Sequence, residues 1–310
     1  MKDARKNLSG LATERTQRLG ADLALLLVAI VWGSAFAAQR LAAEQISAFT
    51  FNGLRFLIGA LVLLPLTWRQ WERLDRRAWI GVALVGSVLF VGAAFQQLGL
   101  RYTTAGNAGF VTGLYVVLIP LILALGWKEP PRRVIWPASL LAAAGMFLLS
   151  TGGNFTLKLG DMLELAGACM FALHVILIGI LVQRVGVLQL AVSQYLVCGL
   201  FSLLVGLGLG GSSLSSLASV WWAIAYTGIF SVGLGYTLQA RAQKVAPPAD
   251  AAILLSLEAV FAALFGWLLL DERLNASQLL GCGLMLSAMI LAQVSSYIRP
   301  AVTTDEHRLN

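Results

Sequence analysis

Apolar residues run along this chain in stretches of about twenty positions, bounded by charges or by Gly, Pro and Ser. A helix needs ~20 apolar residues to cross the hydrocarbon core of a bilayer. The pattern therefore predicts an all-α membrane protein with ten transmembrane helices, near residues 21 to 41, 47 to 67, 78 to 98, 105 to 126, 134 to 151, 160 to 182, 187 to 209, 219 to 240, 249 to 270 and 275 to 296. Polar tails are expected at 1–20 and 297–310. The first apolar run is too long for a secretory signal and is followed by nine more, so it is expected to stay as a span.

Composition narrows the class. Hydrophobic residues make up 58% of the 310 positions and charged residues 12%, where soluble domains carry ~25% charge. Mean hydropathy is +0.80. A water-facing globule is excluded, and the length leaves no room for a sizeable extramembrane domain.

Charge orients the spans. Lys2, Arg5, Lys6, Arg15, Arg18, Arg69, Arg73, Arg76, Arg77, Lys128, Arg132, Arg133, Arg184, Arg241, Lys244, Arg299 and Arg308, 17 in all, fall on the side that holds both termini, against 4 on the other, Arg40, Arg101, Lys158 and Arg273. The positive-inside rule then places both termini in the cytoplasm of a multi-pass protein of the cell (inner) membrane. Adding or dropping one span would scramble the bias, so the split supports ten. The net charge of +7 lies mostly in these connections and predicts no nucleic-acid partner. Cys169, Cys198 and Cys282 sit inside apolar stretches without CxxC spacing, so neither a disulfide framework nor a metal site is expected.

The chain also resembles itself. A shift of 139 residues puts Trp32 on Phe171 and Arg55 on Gln194, and a shift of 143 puts Trp79 on Trp222, Gln96 on Gln239, Ala108 on Ala251, Leu114 on Leu257 and Glu129 on Glu272. The Gly210-Gly-Ser-Ser-Leu-Ser-Ser216 connection absorbs the change of offset. Two five-helix halves follow, 21–151 and 160–296. Because five is odd, the second half enters the membrane inverted, the arrangement that lets one central site open to either side in turn.

Trp32-Gly-Ser-Ala-Phe36, Asn52-Gly-Leu-Arg55-Phe, Tyr102-Thr-Thr-Ala-Gly-Asn107-Ala-Gly, and Leu257-Glu-Ala-Val-Phe-Ala-Ala followed by Leu270-Asp-Glu272-Arg-Leu resemble EamA-type transporters of the drug/metabolite transporter superfamily. The resemblance covers residues 21 to 296. It implies ten spans, an inverted repeat, a central cavity and, most often, export of amino acids or related metabolites. The chain departs from the family's frequent Glu-Pro-Val, which here reads Glu258-Ala259-Val260, with Val116 at the equivalent place in the first half. A proline kink at those two places is not expected, although Pro120 offers one a turn further on.

Ionisable groups at membrane depth cost about 2.5 to 3.5 kcal/mol each and usually face a cavity or a partner. Arg55, His174 and Glu258 stand out. Arg55 is eight residues into its span, ~12 Å deep at ~1.5 Å per residue, and Glu258 lies at a similar level, so the two can pair with each other or bind a zwitterionic or charged substrate. His174 and Glu258 are the candidate carriers of a coupling proton, the imidazole because it titrates near neutral pH and the carboxyl because burial penalises its charged form. Trp32, Gln39, Gln96, Asn107, Tyr115, Gln194, Tyr236 and Gln239 complete the candidate substrate site, each of them equally able to serve as an interhelical hydrogen bond. Small residues at Ala105, Gly109 and Gly113, and at Gly281 and Gly283, allow close helix contact, most simply within one chain, though a homodimer seam would use the same stripes. Pro247-Pro248 marks a helix start.

The reading is a secondary transporter, an exporter of small metabolites such as amino acids. A multidrug or other solute permease of the same fold is the alternative. No Walker A sequence, Gly-x-Ser-x-Gly elbow or ring of like charges is present, which argues against an ATP-driven pump, a membrane-embedded enzyme and a channel respectively. No cofactor is expected. The partners are the lipid bilayer, a small-molecule substrate and protons as the candidate coupling ion, in a monomer or a homodimer.

Overall fold

The computed structural model describes residues 2–67, 71–128, 130–151, 158–271 and 273–298. The chain is built from helices that we number α1 (Lys2–Ala43), α2 (Ala48–Thr67), α3 (Arg76–Gly99), α4 (Ala105–Trp127), α5 (Ile135–Thr151), α6 (Leu159–Leu181), α7 (Val187–Gly208), α8 (Leu214–Ala242), α9 (Pro248–Leu270) and α10 (Ala276–Ile298); no strand occurs among the described residues. Eight of them are long and apolar enough to cross a membrane; α5 and α10 are represented by the shorter apolar segments Ile135–Leu149 and Ala276–Ala292. Of the residues singled out in the sequence, Glu129 and Glu272 lie outside the described residues, as do Arg69, Arg299 and Arg308.

The helix starts obey local chemistry. Asp75 accepts from the Ala78 amide at 2.7 Å to open α3, Thr104 from Asn107 at 3.2 Å to open α4, and Ser213 from Ser216 at 3.1 Å to open α8, each satisfying an amide that has no partner in the first turn. Pro248 occupies the first turn of α9, where its missing N–H costs nothing. The polar segment at 1–20 is helical from Lys2, continuous with the first span. Nothing in it stops a helix: it has no Pro, and Ala, Leu, Arg, Lys, Glu and Gln predominate.

Packing places α2 against α7, α3 against α6, α5 against α10, and α1 against α8 and α9. Close approach is bought by small residues. A Cβ on Gly281 would collide with the carbonyl oxygen of Gly145, so only glycine lets α5 and α10 meet there, whereas Gly283 has open space around it. Gly109 of the α4 stripe lies against Ala262 of α9, 2.8 Å from where a Cβ would reach. These contacts of Gly109 and Gly281 are intramolecular.

The polarity of the molecule is inside out. Leu61, Leu125, Leu140, Leu204, Leu207, Trp221 and Leu269 are exposed, while Asn52, Arg55, Gln97, Glu164, His174, Gln194, Gln239 and Glu258 are buried. An apolar belt of this extent is stable only against lipid, and polar groups at depth must then face one another or a cavity.

Two helices are broken mid-span. In α4 the regular pattern fails at Leu114, whose amide bonds to Val111 O (3.2 Å), and in α9 at Leu257, whose amide bonds to Leu254 O (3.2 Å). Neither break sits at a proline. Pro120 lies inside the helix that resumes after Leu114, and in α9 the Ser256 hydroxyl donates back to Ile253 O at 2.8 Å, a local bond that bends helices. A π-helical stretch, Thr227–Tyr236, widens α8.

Candidate functional site

A cavity lies between α1, α2, α3, α4, α6, α8 and α9. Helical spacing delivers its walls. Trp32, Phe36 and Gln39 share one face of α1, and Phe171, His174 and Val175 share one face of α6. Thr112 and Tyr115 flank the break in α4, Glu258 follows the break in α9, and Ser231 and Tyr236 come from the π-helical stretch of α8. Arg55, Gln96 and Gln239 complete it.

Arg55 is held rather than neutralised. Its Nη1 donates to Gln39 Oε1 at 2.5 Å, and its guanidinium stands 5.3 Å and 5.1 Å from the ring centroids of Phe51 and Phe56, a cation–π setting. Its Nε has no hydrogen-bond partner. Glu258 Oε1 accepts from the Tyr115 hydroxyl at 2.8 Å. The ion pair between Arg55 and Glu258 that the sequence allows does not form among the described residues: each charge has a neutral partner instead, and both face the same cavity.

Aromatic rings make the rest of the wall. Tyr236 lies 4.7 Å from Trp32, 5.7 Å edge-on from His174 and 6.0 Å from Phe56, centroid to centroid. Trp32 donates its indole N–H to Ser231 O at 3.0 Å, a bond within reach because Gly235 has no side chain: a Cβ there would stand 2.5 Å from the Trp32 ring nitrogen. His174 Nε2 and Gln194 Oε1 are 2.8 Å apart, so the two side chains hold each other.

Among the residues expected from the sequence, Trp32, Gln39, Arg55, Gln96, Tyr115, His174, Tyr236, Gln239 and Glu258 line the cavity. Gln194 lies one layer behind, holding His174, because α7 packs on α2 and α3 at the periphery. Asn107 is in the first turn of α4, away from the wall.

Sequence reading passed over Glu164, a fully buried carboxyl on α6, because it is near the start of its span and reads as a boundary charge. The signal was its register: Glu164, Gly167, Phe171 and His174 recur at helical spacing on the face that reaches the cavity. Thr112 and Ser231, short hydroxyl residues without a sequence signature, were also missed.

At the end where α1 enters and α9 begins, Asp250 Oδ2 takes Arg18 and Arg132, each at 2.7 Å, while Arg18 Nε also holds Asp22 at 3.1 Å. This carboxyl, in the first turn of α9, is thus an ionic node joining α1, the segment before α5, and α9.

Comparison with known proteins agrees with this architecture. The EamA-like transporter family matches the chain twice, over residues 19–151 and 158–293. An uncharacterized transporter of Archaeoglobus fulgidus is 34% identical over 91% of this chain and 88% of its own length, and the uncharacterized inner membrane transporter YedA of Escherichia coli K12 is 24% identical over 90% and 92%. A protein of Chlamydia trachomatis serovar L2 called an S-adenosylmethionine/S-adenosylhomocysteine transporter is 24% identical over 92% and 93%. A crystal structure at 20% identity superposes with a TM-score of 0.74, covering 89% of this chain and 96% of the other, and shares the fold. With its series of apolar helices and such relatives, the protein is a multi-pass protein of the inner membrane. The ordered motifs, the helical bundle and the paired family matches together make this chain a member of the EamA-like transporter family.

Proposed function

We propose that the protein is a secondary transporter, an exporter of small zwitterionic metabolites with amino acids the leading class, working by alternating access about two inverted five-helix halves. The observation that carries the substrate class is the pair of unbridged charges on one cavity. Arg55 offers a guanidinium with a free Nε, and Glu258 offers a carboxyl held only by a phenol. A substrate with its own carboxylate and ammonium supplies the missing counter-charge to each, and charge-assisted hydrogen bonds of this kind contribute about 1.5–3 kcal/mol apiece. The aromatic wall of Trp32, Phe171 and Tyr236 fits an apolar side chain. The S-adenosylmethionine/S-adenosylhomocysteine name of one relative points the same way, since both compounds carry an amino-acid head.

Several features support the inverted repeat; the ten spans and the cytoplasmic termini rest on the charge asymmetry of the connections. The offset of 143 that aligns Leu114 with Leu257 also aligns the two helix breaks, and it aligns the left-handed residues after α4 and α9, Lys128 (φ 56) and Asp271 (φ 55). Tyr115 and Glu258 are mates at that same offset and touch each other; equivalent residues meet only on the axis that relates them. The helix pairs exchange consistently, α3 on α7 matching α8 on α2. Proton coupling through Glu258 or His174 belongs to the same reading.

Counterflow in proteoliposomes tests it. Saturable exchange of labelled zwitterionic amino acids, lost in Glu258→Gln and Arg55→Gln, is expected. Ohmic flux, or saturable exchange of simple cations with zwitterions excluded, would overturn the assignment.

A further inference from the structure

Glu164 is fully buried and no cation pairs with it among the described residues. Its Oε2 accepts from the Thr112 hydroxyl at 3.0 Å, and Thr112 accepts in turn from Gln96 Nε2 at 3.3 Å. Its Oε1 is buried without a hydrogen-bond partner, 2.8 Å from where a Cβ on Gly99 would stand, so glycine there makes room for the carboxyl. Thr112 and Gln96 line the cavity; Glu164 does not. The titratable groups that face Glu164 are Asp161, about one turn away on α6, and Glu258 on α9, while α3 and α4 present neutral Gly99 and Thr112.

We propose that Glu164 is a second proton-binding site, joined to the central cavity by the hydroxyl of Thr112. The direction of the hydrogen bonds supplies the path. A hydroxyl has one proton and two lone pairs; the proton is committed to Glu164 and one lone pair to Gln96, which leaves one lone pair for a cavity water. A hydronium in the cavity gives a proton to that lone pair as the original hydroxyl proton passes to Glu164 Oε2. One proton moves, Thr112 ends neutral, and a water remains in the cavity. A metal ion fits poorly, because hard cations take about six oxygens and no group of three or more His, Cys, Asp or Glu could hold one among the described residues. Substrate charges at Glu258 therefore face a second carboxyl whose charge the cavity can set, which couples substrate and proton occupancy through the field between the two acids.

This role in coupling rests on the transport reading, but the proton site is measurable without substrate. Infrared difference spectra of proteoliposomes between acid and alkaline pH are expected to contain separate protonated-carboxyl bands, one lost in Glu258→Gln and another lost in Glu164→Gln. Thr112→Val should shift the Glu164 band and slow its exchange in heavy water. Wild-type protein treated with dicyclohexylcarbodiimide, which modifies protonated carboxyls in apolar surroundings, should carry the label on the Glu164 peptide, and the label should fall as pH rises. A Glu164→Gln spectrum identical to wild type, or an unlabelled Glu164 peptide at every pH in a protein labelled at Glu258, would overturn the proposal even if zwitterion counterflow is robust. A pH-dependent Glu164 band in a protein that moves no zwitterion would leave the proton site standing and refute the transport reading instead.

Discussion

The broken helices α4 and α9 share a backbone and differ in chemistry. Both lose their regular hydrogen bonding at positions 143 residues apart, and both end in a left-handed residue. Side chains at matching levels diverge. After the break, α4 carries the Tyr115 phenol and α9 the Glu258 carboxyl; in the first turn, α4 has Asn107 and α9 has Asp250, which gathers Arg18 and Arg132. The backbone break is held by packing and local bonds without a proline at either site, which frees the side chains to specialise. A phenol facing a carboxyl makes a hydrogen bond where two carboxyls would repel. Divergence at the helix starts gives one end of the bundle an ionic tie, while near the start of α4 the corresponding tie is neutral-donor, Thr103 to Asp161 at 3.0 Å.

The comparison can be broken at its centre first. Glu258→Gln keeps the shape but removes the charge that distinguishes α9 from α4, and it should weaken zwitterion binding by about 10- to 100-fold, the worth of one charge-assisted bond, measured by calorimetry in detergent. Next is the contact between the two helices: Gly109→Val would drive a side chain into Ala262 of α9 and should cost about 1–3 kcal/mol as overpacking, read as a lower Tm. Asp250→Asn removes the ionic node; with Arg18 and Arg132 side chains 15% and 28% exposed both cations can hydrate, so a loss of about 2 kcal/mol is expected, between the surface and buried limits. A Tm that rises with salt in wild type would contradict that ionic role. Smallest is Tyr115→Phe, which removes one hydrogen bond from Glu258 and should cost about 1 kcal/mol, with binding still detectable; an effect as large as that of Glu258→Gln would show that the phenol, not the carboxyl, carries recognition.

Much of the fold was legible in the sequence because lipid imposes a simple rule: apolar runs of span length must become helices whose backbone groups are satisfied internally. That rule placed the eight span-length helices within a few residues, apart from the polar N-terminal extension of α1, while α5 and α10 came out as the short members. The candidate site was legible where a residue violates the rule, as Arg55, His174 and Glu258 do. Glu164 escaped because a charge near a span boundary looks solvated when its helix is read alone, and only packing against Gly99 and Thr112 buries it.

By itself the sequence determined the class, the eight span-length helices and which polar groups are too costly to face acyl chains, since those depend on transfer free energies of single segments. Tertiary structure alone decided the pairings: Arg55 with Gln39 instead of Glu258, Glu258 with Tyr115, Gln194 behind His174, and Glu164 behind Thr112. Hydrogen bonds form over about 3 Å, and whether two helices bring their groups that close depends on glycines, breaks and a widened turn distributed over the whole bundle.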